Sequence, residues 1–308
     1  MCGLFGFSNY SNNSIKDLSK LTNALAVESC IRGTDATGIA FNTNRDLRIV
    51  KDSKSAYRMD FKHPDDIIAL TGHTRHSTQG SEKKNYNNHP FQGSYKTLNF
   101  ALCHNGVLSN DKVLRREYRL PKTKIETDSY IAVQLLESQS QLNFGSIKYM
   151  AEKTEGSFSY TIFDEKNNLY LVKGDSPLSI LHFPRQKIYV YASTDEILYK
   201  ALIDSSLFTS LRKGEYSPID ISEGEILKFS PDGIIEKSTF NYSYYYGRNW
   251  WNYGNCTYIS TSTPYSERDY INDLKSVAIY QGFESDIVDE LLNQGFSPEE
   301  IEDYIYEF

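Results

Sequence analysis

The chain begins Met-Cys-Gly, and Cys2 is the first side chain with obvious chemistry. Methionine aminopeptidases remove Met1 when the next side chain is small, so the mature chain is expected to begin with a free cysteine. Thiol and α-amine would then sit on one residue. Such an amine, with a pKa of about 7.7–8.0, is substantially neutral at cellular pH and acts as base for its own thiol, so no separate histidine is required. Alone, this feature also fits a structural cysteine at the start of a buried strand. The balance changes with the polar motifs that follow: RGTDATGIA at 32–40, GHTRHSTQG at 72–80, HPF at 89–91, HNG at 104–106 and ETDSY at 126–130.

In that order the motifs resemble the class II glutamine amidotransferases, the amino-terminal-nucleophile glutaminase domains of glucosamine-6-phosphate synthase and amidophosphoribosyltransferase. The resemblance runs from Cys2 to about residue 238, with softer matches at EGSFSYTIFD (155–164), SPL (176–178), ASTDEIL (192–198) and ISEGEILKF (221–229). It implies that Cys2 attacks and that Asn105, by its side-chain amide, and Gly106, by its backbone N–H, form the oxyanion hole. Preorganised neutral donors of this kind contribute about 2.7–4 kcal/mol each to a tetrahedral oxyanion. Asn-Gly is also the commonest tight-turn pair, the plainer alternative. The resemblance further assigns the substrate's α-carboxylate to Arg75 and Thr78 and its α-ammonium to Asp128. Arginine can grip a carboxylate bidentately, although a lone Arg or Asp is usually a solvated surface residue. Arg32 and Gly33 are the implied structural and gating residues near the nucleophile, and His89 is read as organising a loop over the pocket, with a satisfied structural histidine as the default. Two positions depart from the pattern: Gln79 stands where the synthase branch commonly has histidine, and His76 where an aromatic residue is often seen.

The implied reaction is hydrolysis of L-glutamine to glutamate and ammonia through a γ-glutamyl thioester, with no metal or organic cofactor expected. About 70 residues follow position 238, fewer than a usual synthase domain needs, and no pyrophosphate or Gly-rich phosphate loop is visible among them. The expected acceptor is therefore a synthase subunit in trans, or water. The competing class is a catalytically idle scaffold that binds protein partners through its C-terminal tail.

The elements that must position these residues read as a mixture of short strands and a few helices. Strand-like runs lie at 2–8, 37–43, 46–52, 69–77, 97–105, 157–164, 168–174, 178–183, 187–193 and 224–230. Helical spacing appears in KDLSKLTNALAVESCIR, in ETDSYIAVQLLESQ after Thr127 as a plausible N-cap, and at 194–203. The pattern argues for an α+β fold, and the resemblance makes it a four-layer αββα sandwich of two antiparallel sheets with a small helical C-terminal appendage. The expected organisation is an amidotransferase domain over 2–238, an aromatic-rich linker over 239–265 and a helical element over 266–308. That last element holds a near-repeat, QGFESDIVDELL and QGFSPEEIEDYI, weakly similar to ubiquitin-associated modules. The aromatic run 242–258 reads either as a linker folded back on its own domain or as a docking segment.

Composition sets the outer bounds. With 308 residues, 39% of them hydrophobic, the chain can bury a sizeable core. Its net charge of −7, with 33 basic residues scattered among 40 acidic ones, gives no electropositive stripe for nucleic acid. Cys2, Cys30, Cys103 and Cys256 lack metal-type pairing and are too few for a disulfide scaffold, which suits a reducing cytoplasm. No secretory signal or membrane-spanning run is expected.

Overall fold

The computed structural model describes residues 2–11, 15–43, 46–242 and, with internal gaps, 271–306. Contacts divide the chain into two compact units, Met1–Arg248 and Asn249–Phe308.

Within the first unit the strands are β1 (Gly3–Asn9), β2 (Ala36–Thr43), β3 (Asp46–Asp52), β4 (Ala69–Arg75), β5 (Phe91–Tyr95), β6 (Leu98–Leu108) and β7 (Gly156–Asp164). They continue as β8 (Leu169–Lys173), β9 (Ser179–Phe183), β10 (Ile188–Ala192), β11 (Ser217–Pro218), β12 (Glu225–Phe229) and β13 (Ile235–Thr239). The helices are α1 (Leu18–Glu28), α2 (Asp111–Glu117), α3 (Tyr130–Ser138), α4 (Phe144–Lys153), α5 (Asp195–Ile203) and α6 (Phe208–Arg212). One seven-stranded sheet has the order β11-β9-β10-β1-β4-β2-β3, and a six-stranded sheet the order β13-β12-β8-β7-β6-β5, with every pairing antiparallel.

Side-chain alternation explains how these sheets make four layers. On β1, Leu4 joins the cluster between the sheets with Leu171, Tyr191 and Phe229, whereas Phe5 and Phe7 turn outward to pack with Leu21, Leu25, Leu198 and Leu202 of α1 and α5. On β8, Leu169 and Leu171 point inward, while Tyr170 and Val172 join the cluster under α3 and α4 with Ile131, Leu135 and Ile147. Both faces of the central strands are buried, which is why β1 reads as GLFGFSN without polar alternation. The expected α+β sandwich of two antiparallel sheets is the observed architecture.

Several local details differ from the sequence reading. Thr127 does not cap α3. That helix starts at Tyr130 after Ser129, which has helical dihedrals and gives no side-chain cap, because the Asp128 and Ser129 side chains are used in the site below. Helix α4 went unread, although Asn143 and Ser146 form a reciprocal capping box at its start. Strand β13 reaches Thr239, and the Phe240 ring packs beside Phe158 in the core under α3 and α4, so the first unit continues past residue 238. Most of the aromatic run 242–258 lies outside the described residues.

In the second unit, α7 (Ile287–Asn293) and α8 (Pro298–Tyr306) correspond to the near-repeat. Ser297 opens α8 with a capping box: its Oγ accepts from the Glu300 N–H at 3.3 Å, and Glu300 Oε2 accepts from the Ser297 N–H at 2.8 Å. Val288, Ile301 and Ile305 share a small core with Leu274 and Ala278. Among the described residues no helix is long and apolar enough to cross a membrane.

Candidate active site

The site forms where β1, β4 and β6 end side by side. Gly3 pairs with Thr74, so the next rung sets Cys2 against Arg75. Contacts between β1 and β6 and between β4 and β6 bring the second sheet, with Asn105 and Gly106 at the end of β6, against this edge. Three motifs far apart in sequence thereby meet at one end of the sandwich.

Cys2 is half-buried. Its Sγ lies 3.5 Å from both the N and the O of His76, and its carbonyl accepts from Arg32 Nε at 2.8 Å. Burial raises the thiol pKa, opposed by the His76 N–H and the Arg75 charge and reinforced by Asp128. Arg32 closes the 3-10 turn Ser29–Arg32 that follows α1, and Gly33 then passes so close to β4 that a Cβ there would lie 2.4 Å from the Arg75 carbonyl carbon. Arg32 and Gly33 thus hold the Cys2 backbone and let the turn through.

Asn105 is fully enclosed, yet among the described residues neither its Oδ1 nor its Nδ2 finds a partner. Native structures keep such groups rare, because each costs about 1–3 kcal/mol. Gly106 has φ of 140°, and a Cβ would meet the Ser157 carbonyl oxygen at 2.0 Å, so only glycine fits opposite Phe158. The Asn-Gly pair here belongs to a long strand rather than a hairpin turn.

Arg75 is 3% exposed, and its fork is already engaged. Nη1 donates to Asn88 Oδ1 at 2.7 Å, and Nη2 donates to the carbonyls of Gln79 and Gly80, each at 2.7 Å. A free two-point grip, as the sequence suggested, is not present: with both Nη2 hydrogens in use, each edge of the guanidinium has lost one of its two donors. The 76–80 loop that supplies these carbonyls is held by Asp35, which accepts from the Ser77 N–H at 2.7 Å, and by the Glu126 carbonyl, which accepts from Gln79 Nε2 at 2.9 Å. Thr78 on that loop is exposed.

Asp128 is buried, with Oδ2 accepting from the Leu108 N–H at 2.6 Å. It is within electrostatic reach of Cys2 and Arg75. His89 lies in the loop segment just before β5. Its ring is buried between His73 and Phe91, at centroid distances of 4.1 and 4.2 Å, and neither nitrogen has a partner among the described residues, so it is not a satisfied histidine. Burial pushes His89 well below its ordinary pKa and brings His73 down to about 3, so both rings are neutral.

Several residues here escaped the sequence reading. Asp35, His104, Glu126 and Ser129 lay inside the quoted motifs without an assigned role. Asn88 adjoins HPF. Lys51 had no signal at all: it projects from β3, donates to the carbonyls of Asn88 and Pro90 and lies 5.3 Å from the centre of the Phe91 ring, with burial lowering its pKa to about 8.

Comparison with known proteins places this geometry. Residues 73–200 match the sequence family described as the glutamine amidotransferase domain. The solved structure of an allosteric regulatory enzyme of purine biosynthesis superposes with a TM-score of 0.61, covering 79% of this chain and 50% of that one at 18% identity. The glutamine phosphoribosylpyrophosphate amidotransferase of B. subtilis gives 0.62, covering 92% and 59%, also at 18% identity. At that identity the structures speak for the fold. The chain is thus similar to glutamine amidotransferase domains over residues 73–200 and shares its fold with these two solved structures.

Among curated proteins it is similar to glutamine–fructose-6-phosphate aminotransferase (isomerizing). Identity is 32% over 194 residues with the Staphylococcus aureus (strain N315) enzyme and 29% over 191 residues with that of Bacillus anthracis. Each alignment covers 58% of this chain and 30% of the relative, so the chain matches less than a third of those proteins' length.

Proposed function

We propose that this chain hydrolyses the side-chain amide of L-glutamine with Cys2 as the nucleophile. The observation that carries this reading is the enclosed Asn105 amide, unpartnered among the described residues and set with Gly106 on the β6 end that meets the Cys2 end of β1. An unused buried donor makes sense where charge develops only during reaction, as on the oxygen of a tetrahedral intermediate.

In the proposed sequence the Cys2 sulfur bonds to the amide carbon, and the carbonyl oxygen takes the negative charge toward Asn105 Nδ2 and the Gly106 N–H. The C–N bond then breaks as the Cys2 α-amine passes the thiol proton to the departing ammonia. Water cleaves the resulting γ-glutamyl thioester, returning the thiol and releasing glutamate. Burial favours the neutral thiol, which suits proton transfer coupled to attack rather than a standing thiolate. Asp128 receives the α-ammonium. Arg75 meets the α-carboxylate through one free N–H, and a two-point grip on one edge requires the Gln79 and Gly80 carbonyls to exchange for the substrate.

The ammonia goes to an acceptor enzyme on another chain, and the helical element at 266–308, on which Phe296 is 46% exposed, serves as a protein-interaction module. Conversion of Cys2 to alanine is expected to abolish ammonia release from glutamine, and a diazo-ketone glutamine analogue is expected to add its mass to Cys2 of the wild type. The intact mass of native protein reports removal of Met1. Ammonia release at the wild-type rate by Cys2→Ala would defeat the mechanism. An inert wild type that also resists the analogue, even with candidate acceptors present, would favour the idle scaffold.

A further inference from the structure

Asp128 is backed by a polar chain that the proposed chemistry does not use. Ser129 Oγ lies 3.4 Å from Asp128 Oδ1 and 2.8 Å from His104 Nδ1, and all three residues are buried. His104 Nε2 lies 3.4 Å from the Ser157 carbonyl, and the His104 carbonyl accepts from His73 Nε2 at 2.9 Å. A carbonyl only accepts, so the His73 proton is on Nε2.

Burial lowers the pKa of His104, leaving one ring proton with two possible places. On Nε2 it would point at Ser157, Ser129 would donate to His104, and Asp128 Oδ1 would face hydroxyl lone pairs. On Nδ1 it donates to Ser129, whose hydroxyl then donates to Asp128. The second arrangement sets a hydrogen bond on a carboxylate, and bonds to charged acceptors are roughly twice as strong as neutral ones. It leaves only the weaker repulsion between Nε2 and a neutral carbonyl. Asp128 is then held from both sides, by the Leu108 N–H on Oδ2 and by the hydroxyl on Oδ1.

We propose that Ser129, oriented by His104, is the positioning residue that aims Asp128 at the α-ammonium of glutamine, so that this pair sets the preference for α-amino substrates. The inference rests on the glutaminase reading. Ser129 touches no reacting atom; it acts through Asp128. Its consequence is selective, because a substrate without the ammonium gains nothing from a well-aimed carboxylate.

The test compares glutamine with its α-deamino analogue, 4-carbamoylbutanoate, as substrates or, where turnover of the analogue is slow, by inhibition constants. Ser129→Ala is expected to raise KM for glutamine on the order of tenfold, the scale of one hydrogen bond to a charged group, with kcat and the analogue's constant little changed. Ser129→Thr, which keeps the hydroxyl, is expected to restore most of the preference. Equal weakening of both ligands, as general damage to the fold would give, overturns the proposal, as does an unchanged ratio. A wild type that neither turns over glutamine nor is labelled at Cys2 overturns the glutaminase reading and this inference together. Active wild type with an indifferent Ser129→Ala overturns the inference alone.

Discussion

The middle and the end of the space between the two sheets are built on opposite terms. In the middle, Leu4, Phe163, Leu171 and Leu227 pack together, and three hydroxyls among them are matched: Tyr191 donates to Thr71 Oγ1 at 3.0 Å, and Thr71 and Thr161 share a hydrogen bond. At the end, His73 Nδ1, both ring nitrogens of His89 and both amide atoms of Asn105 are enclosed without a partner among the described residues. An unmatched buried polar group costs about 1–3 kcal/mol, so the middle supplies stability and the end consumes it. Strain of this kind is expected where a ligand or transition state completes the bonding.

The sharpest way to break the comparison is to delete a polar group from each region. Asn105→Ala is expected to lower kcat for glutamine by about 10²–10³, the scale of one lost oxyanion donor. Its urea midpoint should stay the same or rise, because the group removed has no partner to orphan. A large loss of stability with unaltered kcat would reverse the assignment. The opposite profile is expected for Thr71→Val, which removes the 3.0 Å partner of the buried Tyr191 hydroxyl and the hydroxyl that Thr161 shares a hydrogen bond with. Denaturant unfolding should show a loss of about 1–3 kcal/mol while the kinetic constants hold.

The histidines extend the contrast into pH. His73, His89 and His104 all have lowered pKa values in the fold, chiefly from burial. Below about pH 6.5 the unfolded chain binds protons at these positions that the folded chain refuses, so stability falls as pH falls, by about 1.4 kcal/mol per pH unit for each such group. For His73 the window runs from 6.5 down to about 3. His89→Phe, which keeps a ring between His73 and Phe91, is expected to flatten the slope of unfolding free energy between pH 7 and 5 by the share of one histidine. An identical slope would mean that His89 takes up its proton in the fold. Smaller still is the effect expected from Lys51→Met on glutamine KM, a few-fold increase transmitted through Asn88 to Arg75 and measurable by steady-state kinetics.

How much of this was legible beforehand follows from the range of the interactions. The presence of Cys2, Arg75 and Asp128 within their motifs and the order of those motifs are properties of short stretches, and each stretch carries its residue types on its face. Most strands were equally readable, because β-branched and aromatic runs such as DLRIVKD and KIYVYAS state a local preference. Strand β5 was hidden by its shortness and the Gly-Ser pair in FQGSY, and α4 by the low overall hydrophobicity of FGSIKYMAEK. Thr127 resembled a cap because caps are read from neighbours in sequence, whereas its segment is committed to a site assembled across the sandwich.

By itself, then, the sequence determined which functional groups the chain owns and the local preferences that carry them to strand ends. Tertiary structure alone decided that the Arg75 fork is filled by Gln79 and Gly80, that the His89 ring is buried beside His73 and Phe91, and that Asn105 has no partner among the described residues. Each depends on which groups from distant segments reach one small volume, and hydrogen-bond satisfaction is settled there, over a few ångströms, rather than along the chain.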